Sequence, residues 1–473
     1  MVTDQVRWTL WLFSLAALLS GCATEPPRTI TSPDTVIDNV TLVDAVSGAR
    51  VNQRVLVADG KIVAVEAADA PAVAAPTVID GTDLYLIPGL WDMHVHFLYD
   101  RRLTQVMPDL FLDYGITSVR DTGGDINELA ALRAAWQAES VPRPNIMISG
   151  PLLDGSHVVY DGADPGRPPL GTDVGSVAAA IARVAEMKAK GADFIKIYEL
   201  VSPEVFDRLV MEAGRHQLPI AAHVPLSLTA DVAGPRVGTM EHLRNVELAC
   251  AANWQALLAE RQATLASWEG RGYDLRSQLH AAQRIPAIRS FDPVRCDEVL
   301  ASLDSTIQVP TLRLNTMSVV RPFERAEWRA GLQRLPAEVM NDWTAATGSM
   351  SRDVDPTFSN WSFSLVQRMN AAGVPIGAGT DTPIGFGIPG ESLHAELALL
   401  VRSGLSPREA LYSATVRPAE FFGLAGTSGQ VAVGMDADLL LLSANPLVDI
   451  GNTRSIVGVM VSGRWARTPP PGE

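Results

Sequence analysis

The chain has 473 residues, 47% of them hydrophobic, 19% charged and 6% aromatic, with 37 Gly and 32 Pro. That is a globular composition with ample apolar material for a core, which excludes a disordered or fibrous protein; the length suits about three average domains or one α/β barrel with additions. The net charge of -15 argues against a nucleic-acid partner, and three cysteines are too few for a disulfide scaffold or a Cys-rich zinc module.

From the amino end, Arg7 is followed by an apolar run over residues 8–19, too short to span a bilayer as a stable helix. Leu19-Ser20-Gly21-Cys22 comes next. Small residues before a cysteine, directly after an apolar run, resemble a bacterial lipoprotein signal. The resemblance implies a signal peptide over 1–21, lipidation at Cys22, and a membrane partner through that anchor. It also implies a periplasm-facing place in the cell envelope; Ala23 resembles lipoproteins sent to the outer membrane. The competing reading is a buried helix with an incidental cysteine. Residues 22–34 include a Pro/Thr/Ser-rich stretch and are expected as an extended tether. In an oxidising envelope Cys250 and Cys296 could pair or remain two small buried hydrophobes; the sequence leaves both open.

Residues 35–86 are short-patterned and β-rich. The stretch 35–43 alternates, and 54–58 and 61–65 flank the turn signal Asp59-Gly60. The same style returns over 427–467, where 438–442 and 456–461 are β-like and Ser462-Gly463 reads as a turn. Two such ends enclosing a long middle predict one small sheet domain assembled from both termini. The middle, 87–426, alternates strands and helices, the signature of a parallel sheet. Strands are expected over 86–92, 116–120, 145–149, 194–197, 220–223, 239–242, 307–310 and 375–378. Among the helices, 177–190 is stopped by Gly191, and 203–216 has Ser202 as N-cap and Pro203 in its first turn. Eight strands in one stretch predict an α/β fold with a (β/α)8 TIM-like barrel rather than an open sheet. The connections over about 243–306 and 312–373 exceed one helix and are expected as insertions overhanging the catalytic mouth. Their tryptophans (254, 268, 328, 343 and 361) either line a cleft or, the better reading, form a subdomain core.

His94 and His96 stand two apart at a strand end, so period two puts both imidazoles on one face, at the barrel's C-terminal mouth. Core packing is the bland alternative. Lys196 lies inside the apolar strand Phe194-Ile-Lys-Ile-Tyr198, where an ammonium costs on the order of several kcal/mol unless paired or neutral. A snorkelling lysine would explain it. A buried neutral amine can instead take up carbon dioxide as a carbamate, an anionic oxygen ligand. His223 and His242 each close a short apolar strand; one alone reads as structural, but two at consecutive strand ends point to a shared site. Asp381 closes Ile376-Gly-Ala-Gly-Thr-Asp381, with a turn aspartate as the alternative.

Taken together, these six positions fall at the C-terminal ends of five strands, the first of which carries both His94 and His96. Their order resembles the amidohydrolase superfamily, in particular its binuclear members with a carbamylated lysine. Leu86-Ile-Pro-Gly-Leu90 before the histidines, and Gly429-Gln-Val-Ala-Val-Gly434 with Asp436-Ala-Asp-Leu439, look like that superfamily's entry into its barrel and return to its β-sandwich. Gly191-Ala-Asp-Phe-Ile-Lys-Ile-Tyr198 and Met240-Glu-His242 resemble the branch of prolidases and imidazolonepropionase-like enzymes. The resemblance implies a β-sandwich over 35–86 and 427–467. It implies two divalent ions, zinc suiting the donors best with manganese or iron as alternatives. His94, His96 and Asp381 would hold one, His223 and His242 the other, with the Lys196 carbamate between them. A hydroxide shared by the ions would attack an amide carbonyl, with Asp381 as catalytic acid and base. The small-molecule substrate would be a dipeptide or an N-acyl amino acid.

Substrate contacts are less defined. His157 and Tyr198 are candidates for orienting the substrate, against structural roles; Arg120 could bind a carboxylate or pair with Asp121. Rival readings are a lactonase, esterase, phosphotriesterase or deaminase on the same scaffold, and an inactive anchored binding protein. Lys196 counts against a one-metal deaminase, and the six filled positions count against a dead site. An oligomer is compatible with all of this.

Overall fold

The computed structural model describes residues 32–163 and 167–469, so the expected signal peptide, Cys22 and most of the tether lie outside the described residues. From the amino end come β1 (Thr35–Asp44), β2 (Gly48–Ala58), β3 (Lys61–Ala67), β4 (Thr77–Asp80) and β5 (Tyr85–Pro88). The middle supplies β6 (Leu90–Val95), β7 (Ile116–Asp121), β8 (Asn145–Ile148), β9 (Leu152–Asp154), β10 (Gly171–Asp173), β11 (Ile195–Ile197), β12 (Ile220–Ala222), β13 (Thr239–Glu241) and β14 (Ile307–Val309). The carboxyl end adds β15 (Leu439–Leu442), β16 (Ile456–Val461) and β17 (Arg464–Arg467).

The two chain ends share one sheet, as expected. Its path runs β17-β16-β15-β5-β1-β2-β3, with β4 paired to β1. Both expected turns form with left-handed backbone: Asp59 and Gly60 at φ 49° and 74°, Ser462 and Gly463 at 47° and 75°. At β15 the apolar pattern does not alternate, because both faces of the strand are covered. Leu440 and Leu442 join the large core of the middle region, whereas Leu439 and Leu441 join the core of the terminal sheet.

All strand pairs of the middle are parallel. One sheet is ordered β6-β7-β8 and the other β10-β9-β11-β12-β13-β14. β8 pairs with β7, and β9, which begins three residues later, pairs with β11. The expected eighth strand is reduced to a bridge, in which Ile376 pairs with Gln308. Residues 375–382 continue from β14 to β6: the Gln308 amide donates to Pro375 O at 2.8 Å, and the Met93 amide to Ala378 O at 2.9 Å.

The expected strand over 86–92 divides at Gly89, with β5 in the terminal sheet and β6 in the parallel one. A Cβ at Gly89 would lie 2.0 Å from Thr117 Oγ1, so only glycine lets the chain pass here. Strands β9 and β10 were not expected; β9 offers only two leucines before Asp154, and β10, Gly-Thr-Asp, has no apolar side chain. The helices Val177–Ala189 and Pro203–His216 both form; Ser202 caps the second as expected, accepting from the Val205 amide, and Ser176, which was not anticipated, caps the first through the Ala179 amide.

Both long connections are helical. The first contains Trp254–Ser267, Gly272–Arg289 and Pro293–Ala301; the second contains Ala326–Leu332, Ala337–Gly348 and Thr357–Ala371. Trp328, Trp343 and Trp361 are buried in the main core, as expected for packing residues. Cys250 and Cys296 are joined in a disulfide, which ties the helix Pro293–Ala301 to the chain just beyond His242.

Candidate active site

Six side chains from six places in the chain line one cavity of about 310 Å³: His94, His96, Lys196, His223, His242 and Asp381. All six are buried. The strands deliver them. His94 lies in β6 and His96 follows it, and their Nε2 atoms stand 3.3 and 3.2 Å from Asp381 Oδ1. Donor atoms of these three lie within 4.8 Å of one another, a metal-type cluster. Lys196 sits in β11, and His223 and His242 directly follow β12 and β13. The ring of His242 bridges the two sides, with centroids 4.4 Å from His94 and 4.8 Å from His223.

Each imidazole is anchored through Nδ1, which leaves Nε2 for the cavity. His94 Nδ1 meets Glu241 Oε2 at 2.6 Å, His223 Nδ1 meets Glu199 Oε1 at 2.7 Å, and His242 Nδ1 meets Thr311 Oγ1 at 2.7 Å. His96 Nδ1 lies 3.3 Å from Gly123 O. An outer partner on one ring nitrogen fixes tautomer and orientation for a ligand on the other. Burial, joined by the Lys196 charge, holds His223 well below the usual imidazole range; burial likewise depresses His242 against the pull of Asp381. Both are neutral, the form that binds a metal ion.

Asp381 is placed by backbone as much as by packing. Its own φ is 62°, a left-handed conformation rare for aspartate, and its amide donates to His94 O at 2.7 Å. The preceding residue, Thr380, is clamped by Asp92, whose Oδ2 accepts from Thr380 Oγ1 at 2.6 Å. Burial pushes Asp92 up to about 7. Burial also pushes Asp381 up, yet His242, His94 and His96 outweigh it and hold the carboxyl well below its ordinary range.

Lys196 is the unusual member. Its Nζ is buried and has no hydrogen-bond partner. Burial is the largest influence and lowers it to about 8, with the Glu241 charge pulling the other way. A buried amine without a partner is poised to lose its proton rather than to serve as a structural cation. Orphaned nitrogen, four imidazoles and a carboxylate fit a divalent-metal centre.

The remaining candidates divide. Tyr198 lines the cavity, its ring 4.5 Å from His223. His157 does not line it; the following loop contributes Tyr160 instead, with ring centroids 6.0 Å from Tyr198. Arg120 reaches neither a cavity wall nor Asp121. Its Nη2 pairs with Glu241 Oε1 at 2.7 Å, and its guanidinium lies 4.9 Å from the Phe421 ring centroid, so it holds the carboxylate that holds His94. Asp121 accepts from the Phe97 and Gly123 amides.

Glu241, Glu199 and Thr311 were missed by sequence reasoning. Glu241 and Glu199 did carry a signal, since each is an acid in an apolar strand end beside a singled-out residue. Burial pushes Glu199 up, but Arg276, His280 and His223 together hold it well below the ordinary range. Thr311 gives a direct test of ligand anchoring. Thr311→Val is expected to weaken metal binding by about 10–100-fold, as loss of an outer partner does, while Thr311→Ser keeps it. A chelator-competition titration reads this, and equal affinities for all three proteins would refute the anchoring role.

Residues 362–466 match the amidohydrolase family. The match begins in the helix Thr357–Ala371, includes Asp381 and ends in β17. Among solved structures, a Bifidobacterium longum protein assigned as a prolidase is 23% identical, with 93% of this chain and 96% of that one covered at a TM-score of 0.66. A Xaa-Pro dipeptidase with methionine in its active site is 18% identical, with 91% and 99% covered and a TM-score of 0.64. A bottromycin amidohydrolase is 24% identical, with 91% and 86% covered and a TM-score of 0.65. At such identities the likeness is one of fold. No curated protein sequence matches significantly. The C-terminal match and the shared fold together support the amidohydrolase superfamily.

Proposed function

We propose that the chain is a metal-dependent hydrolase that cleaves an amide bond. One observation carries this: four imidazoles anchored outward through Nδ1 converge with Asp381 and an unpartnered Lys196 in one cavity. The class, a hydrolase acting on carbon–nitrogen bonds, is supported by the amidohydrolase match over residues 362–466. Two runs of parallel pairing, β6-β7-β8 and β9-β11-β12-β13-β14, joined through residues 375–382, support an eight-stranded barrel over 87–426 with insertions at about 243–306 and 312–373. Both chain ends supply the small β domain.

In this reading His94, His96 and Asp381 would hold one divalent ion, His223 and His242 would hold a second, and Lys196, as its carbamate, would supply an anionic oxygen ligand. Zinc suits these donors. The ions, when bound, polarise a carbonyl and make water acidic enough to ionise near neutral pH. Asp381 takes up the proton released as water attacks and delivers it to the departing nitrogen. Burial raises Tyr198 well above the ordinary phenol range and raises Tyr160 too, so both stay neutral and can donate to a substrate oxygen. Glu241, Glu199 and Thr311 act through the histidines as positioning residues.

The lipoprotein-like sequence ending at Cys22 supports a lipid anchor and a periplasm-facing location in the envelope. Pairing of Cys250 with Cys296 favours an oxidising compartment. Among the described residues no helix is long and apolar enough to cross a membrane.

The test is a panel of dipeptides, N-acyl amino acids and lactones on protein loaded with zinc or manganese. Amide turnover that vanishes on chelation and returns with metal supports the proposal. Turnover confined to lactones would overturn the amide reading, and turnover insensitive to chelation would overturn the metal.

A further inference from the structure

Three arginines line one flank of the cavity: Arg244, Arg276 and Arg284, all from the connection 243–306. Two have partners. Arg276 Nε meets Glu199 Oε1 at 3.0 Å. Arg284 meets Glu247 Oε1 at 3.4 Å and His280 Nδ1 at 3.0 Å, and lies 4.4 Å from the Phe358 ring centroid. Arg244 has none. Its Nε is buried without an acceptor, and among the described residues no carboxylate forms an ion pair with it. The flank thus sets three cations against two contacting carboxylates, one positive charge in excess.

A buried donor without an acceptor is a standing penalty that a bound anion removes. A guanidinium is also suited to one class of anion, since its planar fork matches a carboxylate in two parallel hydrogen bonds. Leu314, Phe358 and Ile384 also line the cavity and give it an apolar part, with Phe358 beside Arg284. At about 310 Å³ the cavity lies near the lower end of the roughly 300–1,000 Å³ of small-molecule sites, too small for a folded or extended polypeptide.

We propose that Arg244 is the receptor for a free carboxylate on the substrate, so that the site selects small amides with a carboxylate on one side and an apolar group on the other. The word substrate rests on the proposed amide hydrolysis; the anion subsite itself does not.

Calorimetric binding of N-acetyl-L-phenylalanine and of its carboxamide to the metal-loaded protein separates the two. The acid is expected to bind at least about tenfold tighter than the carboxamide, the effect of one charge-assisted pair. Arg244→Gln should bring the ratio close to one, and Arg244→Lys should restore part of it. Equal binding of acid and amide by the wild type would overturn the proposal. So would a preference that survives Arg244→Gln, because the carboxylate would then be held elsewhere, for instance by the metal ions. Thermal melting confirms that each variant is folded, and the wild-type comparison stands even if one is not. An acid that binds through Arg244 but is never hydrolysed would uphold the subsite and count against the amide-hydrolase reading.

Discussion

Asp381→Asn is expected to lower kcat by about a thousandfold, within the range that loss of a positioned acid–base group produces, while leaving close to two metal equivalents in the protein. The asparagine keeps an oxygen where Asp381 Oδ1 now faces His94 and His96 at 3.3 and 3.2 Å, so a ligand remains in place. What disappears is the ability to take a proton and return it. His242, His94 and His96 overcome the effect of burial and keep Asp381 ionised throughout the neutral range, ready to accept. Elemental analysis beside steady-state kinetics makes the distinction. A variant that keeps activity within tenfold would exclude Asp381 as the proton carrier, whereas one that loses its metal would show a ligand role alone.

Lys196→Ala is expected to have the larger effect on assembly: metal content falling to one equivalent or fewer and turnover to background. The argument starts from the orphaned Nζ. With the amine lowered to about 8, roughly one in ten is neutral at pH 7, against about one in three thousand at the ordinary lysine value. The ammonium would first give up one proton; the neutral nitrogen would then bond to the carbon of carbon dioxide and release a second proton, so that a cation becomes an anion. Metal uptake should therefore be faster with added bicarbonate and faster as pH rises toward 8. Labelling with 13C-bicarbonate should give a carbamate carbonyl resonance that Lys196→Ala lacks. A wild type that binds two ions in carbon dioxide-free buffer, with no such resonance, would leave the lysine as a plain structural amine.

The six residues that converge in the cavity were legible because they break a pattern. Lys196 interrupts an apolar strand and His223, His242 and Asp381 each close a short run, and a parallel sheet gathers such residues at one end of the fold. The partners that orient them were harder to see. Thr311 is an ordinary threonine in the chain, and only the left-handed turn at φ 46° brings its hydroxyl to His242. His280 and Arg276 lie in the helix Gly272–Arg289 and reach Glu199 across some eighty positions, a contact no local pattern encodes. His157 shows the converse error: a histidine beside a strand end looked like a pocket residue, whereas the loop turns Tyr160 inward. Strands β9 and β10 escaped because Leu-Leu-Asp and Gly-Thr-Asp make no apolar run of their own, and the eighth strand was overestimated because two glycines favour close backbone approach over a regular ladder.

The four leucines of β15 have a consequence beyond their packing. Because Leu439 and Leu441 face one hydrophobic body and Leu440 and Leu442 the other, melting of either body would hydrate two of them, at about 1.5–3 kcal/mol each. The carboxyl end, made last during synthesis, thereby holds the cavity's scaffold and the sheet in one cooperative unit. A chain cut short before residue 439 would keep all six ligand positions and still lack the wedge that makes them a site.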